Sequence, residues 1–373
     1  MNLGPGGAGS EDAGNSADGF DVPPATMPLG RPFAYVGGAD NISIFSLDVT
    51  QGTLSPQGTG DSGPMPSFLA WDSSVRHLYA VNEVNPGGQV VALAIDQTTG
   101  ALTRMNDLPS GGDQPVHLSL DPSGKWLLVA NYASGTVSTF AVGADGSLGF
   151  QVSSLGLGGT AMPHQIITDL YGRFAFVPCK GLDQVVQFRL DVGSGALTPS
   201  EPPSISVAAQ AQPRHLAFHP SGRVAYGINE LASTIDAYDY DPDLGALTPF
   251  QTLSTLPEGF AGETYAAEVV VHPSGKFLYG SNRGHDSVAM FSLNATGQMT
   301  LLGFETGDGA VATPRSIAMD PGGRFLLVAN QQSALGEGIL WFRVDATTGR
   351  LTKVGGLTAV PSPYFVGIVY LPG

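Results

Sequence analysis

Cysteine is almost missing from this chain. Among 373 residues there is one, Cys179, so neither an intrachain disulfide nor a multi-cysteine metal site can form. Charge is scarce as well. Only 13% of residues are Asp, Glu, Lys or Arg, and 16 basic residues stand against 32 acidic ones, a formal net charge of −16. A surface of that sign repels a phosphate backbone, which argues against nucleic acid as a partner. No apolar run approaches the roughly 18–20 residues needed to cross a bilayer, so no transmembrane segment is expected. No cationic stretch followed by an apolar core opens the chain as a signal peptide would. Helix-favouring Lys, Glu and Gln are sparse, which leaves little material for long helices.

What is abundant is glycine (51) and proline (28), with Val, Thr, Phe and Tyr in short runs between them. That is the composition of an all-β chain with many turns. Residues 1–31 differ from the rest. They are rich in Gly, Ala, Ser, Asp and Pro with almost nothing to bury, and so read as a disordered tail. The tail is either a tether left by an export or lipid-anchor signal or a segment with no such role.

From residue 32 onward the chain repeats. A Gly-x-(Leu/Met)-(Ser/Thr/Gly) turn recurs at Gly52, Gly100, Gly146, Gly195, Gly245, Gly297 and Gly349, at intervals of 46–52 residues. A second turn shares the period: Asp72-Ser-Ser, Asp121-Pro-Ser-Gly, Asp169-Leu-Tyr-Gly, His219-Pro-Ser-Gly, His272-Pro-Ser-Gly and Asp320-Pro-Gly-Gly. Pro presets one turn dihedral and Gly supplies positive φ, so both are hairpin corners. Four short strands lie between successive corners; in one unit they read His215–Phe218, Val224–Ile228, Thr234–Tyr240 and Leu247–Leu253. Inner strands start near Pro66, Pro115, Pro163, Pro213, Ala266, Pro314 and Pro363. The last has no strands after it, while the segment 33–55 has three strands and no inner strand before it. Joining the two completes a seventh unit. The expected fold is therefore all-β: a seven-bladed β-propeller over residues 32–373, four antiparallel strands per blade, its ring closed by N- and C-terminal strands.

In such a blade both corner turns lie on one face, the bottom. The starts of the inner strands and the ends of the second strands then converge at the top mouth of the central channel. These positions supply Ser67, His117, His164, Arg214, His215, Glu268, Arg315 and Tyr364, together with Glu83, Tyr132, Lys180, Glu230, Arg283 and His285. Gathering Arg214, Arg283, Arg315 and Lys180 at one mouth of an acidic protein creates a focused positive site suited to phosphate or carboxylate. Plainer readings stand beside this one. The recurring Asn at second-strand ends is first of all a turn residue, and His219 and His272 are structural bottom corners. His117 and His215 read as hydrogen-bonded core histidines, Cys179 as a small buried apolar residue, and Glu83 and Asp40 as loop charges. For His164, Arg214, Glu230 and Arg283 the plain alternative is an ion-pair network bracing the channel. No nucleophile-elbow serine is present and no metal constellation stands out.

The segments Pro163-His164, Gln212-Pro-Arg-His215, Asn229-Glu-Leu231, the run from Ala266 to Ser287, Pro314-Arg315 and Asn330-Gln331 resemble the lactonase family of seven-bladed propellers. That family includes propeller-type 6-phosphogluconolactonases and carboxy-cis,cis-muconate cyclases, and the resemblance covers residues 32–373. It implies catalytic roles for His164, Arg214, Glu230 and Arg283. Around them Arg315, His215, Lys180, His285 and Glu268 would contact substrate, and neither metal nor cofactor is called for. Lactone hydrolysis would use Glu230 or His164 as general base and the other as acid, with the arginines on the oxyanion and on a substrate anion. A small anionic lactone, a monomer and a cytoplasmic location are the corresponding expectations, with export or lipid tethering left open by the tail. The rivals are a muconate-type cycloisomerase at the same site and a non-catalytic propeller that binds anions or a protein. The acid–base pair His164 and Glu230 speaks against the binder.

Overall fold

A computed structural model describes residues 29–331 and 336–372. The expected tail therefore lies largely outside the described residues, and the first strand already begins at Arg31. The described residues form seven four-stranded antiparallel sheets arranged as blades. We number the blades along the chain from the one that closes the ring. Blade 1 takes its inner strand, Phe365–Leu371, from the C-terminal side and its other three, Arg31–Gly37, Ile42–Asp48 and Thr53–Gly60, from the N-terminal side. Tyr35 faces Gly367 in the register of that seam. Blades 2–7 start with inner strands Pro66–Trp71, Pro115–Leu120, Ile167–Thr168, Pro213–Phe218, Tyr265–Val271 and Pro314–Met319. A single 3-10 turn, Lys180–Leu182, is the only helical element among the described residues.

A lone blade cannot hide both of its faces, and the packing reflects this. Seven apolar clusters form, each shared by two adjacent blades. Between blades 5 and 6, for example, Tyr226, Ile228 and Ile235 meet Val269, Leu278 and Phe291. The corner turns knit the same junctions. Buried Tyr226 Oη donates to the carbonyl of Gly297 in the next blade at 2.7 Å, and Tyr279 does the same to Gly349 at 2.8 Å. A buried hydroxyl without such a partner would cost roughly 1–3 kcal/mol. The turn glycines have a second reason to be glycine. At Gly245 φ is +70°, and a Cβ would sit 2.1 Å from the Phe174 ring of the preceding blade, so any side chain meets both backbone strain and a ring that cannot move.

Two departures from the regular pattern shape the top of the ring. Blades 2, 3, 5, 6 and 7 each carry a register shift at the start of the inner strand, for instance between Pro213 and His215 and between Pro314 and Ser316. The residue skipped by the ladder is re-aimed, and in blades 5 and 7 it is Arg214 and Arg315. In blade 4 the inner strand shrinks to Ile167–Thr168, with one isolated bridge between Pro163 and Cys179. Its neighbour strand, Phe174–Cys179, carries Pro178, which has no N–H for the ladder. His164 N still donates to Pro178 O at 2.9 Å, and Gln165 Oε1 accepts instead from Leu216 N of blade 5 at 2.6 Å. The strand expected from Pro163 is thus replaced by an irregular segment that bears His164.

Candidate active site

The mouth gathers most of the residues expected there, and their pairing is specific. Glu230, at the end of the second strand of blade 5, is the hub. Its Oε1 accepts from Lys180 Nζ at 2.7 Å, and its Oε2 lies 3.0 Å from Arg214 Nε and 3.2 Å from Arg283 Nη2. The Arg214 Nε contact has ion-pair distance without hydrogen-bond alignment, since that N–H has no acceptor in line. Arg214 Nη1 instead donates to the carbonyl of Ala267 in blade 6. Burial alone would raise the Glu230 carboxyl, but Arg214, then Arg283 and Lys180, outweigh it and hold the group at about 2. A carboxylate so tightly held is a poor proton acceptor near neutral pH.

Next to this hub runs a chain of three buried side chains. His164 Nδ1 is 3.2 Å from His215 Nε2, and His215 Nδ1 is 2.7 Å from Glu268 Oε1. Burial, reinforced by Arg214, keeps His164 well below its ordinary pKa. Burial comes first for His215 too, again with Arg214 adding to it. Both rings are therefore neutral at pH 7. Glu268 moves the other way: burial raises it to about 7 against the opposing pull of Arg214. With Nδ1 engaged, the free edge of His164 is Nε2, and the ring lines a narrow cleft with Ser67, Phe68, Arg214, Arg315 and Tyr364.

Arg315 closes the far side. Its Nη2 pairs with Glu83 Oε2 at 3.0 Å, and its guanidinium stacks over Tyr364 with 4.9 Å to the ring centroid. Glu83 Oε1 in turn accepts from Gln114 Nε2 at 3.2 Å. Glu83, read from the sequence as a loop charge, is thus a partner from two blades away. Nothing local in the chain signals this, because the two residues are 232 positions apart. Tyr132 flanks both Lys180, at 5.6 Å, and His164, at 5.8 Å. Lys180, Arg214, Arg283 and Arg315 against Glu83 and Glu230 leave two positive charges, before Glu268 is counted, in a protein of net charge −16.

Not every expected residue arrives. His285 turns outward: its Nδ1 is 2.7 Å from Ser287 Oγ, and its ring packs edge-on against Phe260 and against Phe304 of the outermost strand. Asp286 beside it is a brace, its Oδ1 accepting from Gly284 N and from Thr313 N of the next blade at 2.9 and 2.8 Å. Asp183 in blade 4 makes the same kind of brace to Gln210 N and Gln212 N. These clamps hold the top loops that present Lys180 and Arg283. The asparagines at second-strand ends are structural, as Asn282 illustrates by donating to Thr255 O at 2.6 Å. Cys179 sits in the core with its thiol pushed by burial up to about 12. Among the described residues no group of three or more His, Cys, Asp or Glu is placed to hold a metal ion, and no helix is long and apolar enough to cross a membrane. Roomier hollows lie at the bottom corners, one of them lined by Tyr171, Arg173 and Asp241. Arg173 there is committed to the carbonyl of Pro242, and in another hollow His77 Nδ1 is held by Asp72 Oδ2 at 2.7 Å within its own blade.

A seven-bladed ring with this mouth defines a class. The chain belongs to the lactonase family of seven-bladed β-propellers, whose model matches residues 33–368, and its class is that of a lactone hydrolase. It is 32% identical over 344 residues to the 6-phosphogluconolactonase of Bacillus subtilis (strain 168), an alignment covering 90% of this chain and 96% of that one. It is 34% identical to the 6-phosphogluconolactonase of Pectobacterium carotovorum subsp. carotovorum (strain PC1), covering 89% and 96%. Among solved structures, the periplasmic gluconolactonase of Pseudomonas aeruginosa superposes with a TM-score of 0.84 at 28% identity, over 92% of this chain and 100% of that one.

Proposed function

We propose that this enzyme opens an anionic sugar lactone, 6-phosphogluconolactone in kind, without metal or other cofactor. The observation that carries the reading is a surplus of positive charge, two before Glu268 is counted, beside a neutral histidine whose Nε2 edge is free. A phosphate group has the sign that surplus attracts, and bidentate guanidinium contacts suit its oxygens. Names of the curated relatives support the same substrate class.

His164 takes the role of base in preference to Glu230. It removes a proton from the attacking water at Nε2 and later returns it to the ring oxygen as the C–O bond breaks. Glu230 keeps its charge throughout and acts by fixing Lys180, Arg214 and Arg283. Arg283, with its side chain 18% exposed against 3% for Arg214, reaches the tetrahedral oxyanion. Such a donor contributes on the order of 2.7–4 kcal/mol in comparable sites. Arg315, braced by Glu83 and Tyr364, clamps the phosphate.

The test is ring opening followed with a pH indicator on 6-phosphogluconolactone, gluconolactone and muconolactone, each with and without EDTA. The phosphorylated lactone is expected to exceed gluconolactone in kcat/KM by about tenfold or more, the equivalent of one charge-assisted contact, and chelation to change nothing. Turnover of muconolactone alone would favour the cycloisomerase. Absence of turnover on all three would favour the anion-binding propeller, and a chelator-sensitive rate restored by a divalent ion would overturn the metal-free reading.

A further inference from the structure

We propose that Glu268 and His215 are positioning residues that form a proton relay with His164, setting its tautomer and storing the proton it takes from water. This rests on the lactonase reading of the mouth. Three observations carry it. The contacts are in series, with one nitrogen of His164 and both of His215 engaged. All three side chains are buried, with His215 2% exposed and His164 and Glu268 each 8%. The two residues that sequence reading assigned to substrate contact, His215 and Glu268, line the same cleft as His164, but both ring nitrogens of His215 are already taken up by its two neighbours in the chain.

Tautomers along such a chain are coupled. An ionised Glu268 can only accept, so His215 carries its proton on Nδ1 and presents Nε2 as acceptor. His164 must then carry its proton on Nδ1, and Nε2 bears the lone pair a base needs. A protonated Glu268 that donates to His215 Nδ1 reverses every step and leaves His164 Nε2 protonated. In the reaction, the water O–H breaks as its oxygen bonds to the lactone carbonyl carbon, whose π pair moves to the oxyanion. That proton goes to His164 Nε2, the Nδ1 proton of His164 to His215 Nε2, and the Nδ1 proton of His215 to Glu268. Collapse of the oxyanion breaks the ring C–O bond, the electron pair leaves with the ring oxygen, and the proton returns to it along the reverse path. No net charge is left on the buried imidazoles, which their surroundings disfavour. The charged and titratable groups facing the relay are Arg214 on the blade 5 strand, Arg283 on the strand paired with that of Glu268, Arg315 on the blade 7 strand, and Lys180, Glu230, His117 and Tyr132. The cations oppose a proton on His164 and His215, and Arg214 also lowers Glu268, yet Glu268 stays near 7, where a reservoir is useful.

Two measurements test the relay. In the pH profile of kcat, wild type should show a rising limb with an apparent pKa near 7, belonging to the coupled set. Glu268→Gln, which can hydrogen-bond but not ionise, should lose that limb and about a hundredfold in kcat with KM within about twofold. A Glu268→Gln enzyme that keeps the limb, with kcat within about threefold, would overturn the proposal. The second measurement needs neither turnover nor a variant: ¹⁵N resonances of the histidine rings in the free wild-type protein. His164 is expected as the Nδ1–H form above neutrality, passing to Nε2–H as pH falls. One fixed tautomer from pH 5.5 to 8.5 would overturn the relay even in an active lactonase. The expected switch in a protein without lactone turnover would place the failure in the functional reading instead.

Discussion

The two ends of the ring use the same side chains differently. At the bottom, His219 and His272 sit at equivalent corners of successive blades. Each has Nδ1 against the serine two positions on, at 2.7 and 2.8 Å, and Nε2 against a glycine carbonyl of the next blade, at 2.9 and 2.8 Å. At the top, His164 and His215 bond to one another and to a carboxylate, and no two blades contribute alike. Blade 4 gives a histidine and a lysine, blade 5 an arginine, a histidine and a glutamate, blade 6 a glutamate and an arginine, and blade 7 an arginine with its partner in blade 2. Chemistry that recurs from blade to blade closes the ring; chemistry that occurs once builds the site.

The hardest test of this contrast is His164→Ala, for which kcat should fall on the order of 10²–10⁴-fold while the melting temperature stays near wild type. Full activity would reduce the mouth to a brace. Glu230→Gln comes next and works mainly on stability, because it strands three cations around a neutral amide, at a cost of about 3–5 kcal/mol. This effect has a definite pH signature. The carboxyl lies below its ordinary value in the fold, so its contribution is present above pH 4.5 and is lost as pH falls toward about 2. Denaturant melts of wild type and variant should therefore converge across that window, and a constant gap would show that the cations are held by something else. At the other end, His272→Ala should cost roughly 1–3 kcal/mol from unpaired corner groups, with kcat/KM of the folded fraction unchanged. A kinetic defect there would blur the division between the ends. Smallest is Arg315→Ala, expected to raise KM about tenfold for a phosphorylated lactone and to leave kcat and an unphosphorylated lactone alone.

Much of this division is legible in the chain. The period of the Gly-x-Leu-Thr and Asp/His-Pro-Ser-Gly corners counts the blades, and strand alternation from those corners sends His164, Arg214, Glu230, Arg283 and Arg315 to one mouth. What the chain does not announce depends on contacts between distant blades or on orientation within a loop. Glu83 meets Arg315 from two blades away, and Glu230 is surrounded by cations from three blades, which hold its carboxyl low. His285 shares its tight turn with Arg283 yet points the opposite way, toward Phe304. The loss of the blade 4 inner strand could have been suspected from Pro178, since a proline inside a paired strand deletes a ladder donor.

The seam of blade 1 carries a consequence for how the molecule matures. Tyr35 and Gly367, paired across it, are 332 residues apart, a pairing of high closure entropy that few other contacts can prepare. Tyr364, which steadies Arg315, lies immediately before the seam strand, and its N–H is received by Gly37 O on the other side at 2.8 Å. The clasp that locks the circle also sets one wall of the cleft that Tyr364 and Arg315 line. A chain caught with its ring unclasped has six whole blades but no finished mouth, so on the proposed reading phosphate affinity is itself a readout of a completed circle, and ligand in turn favours the clasped form by mass action.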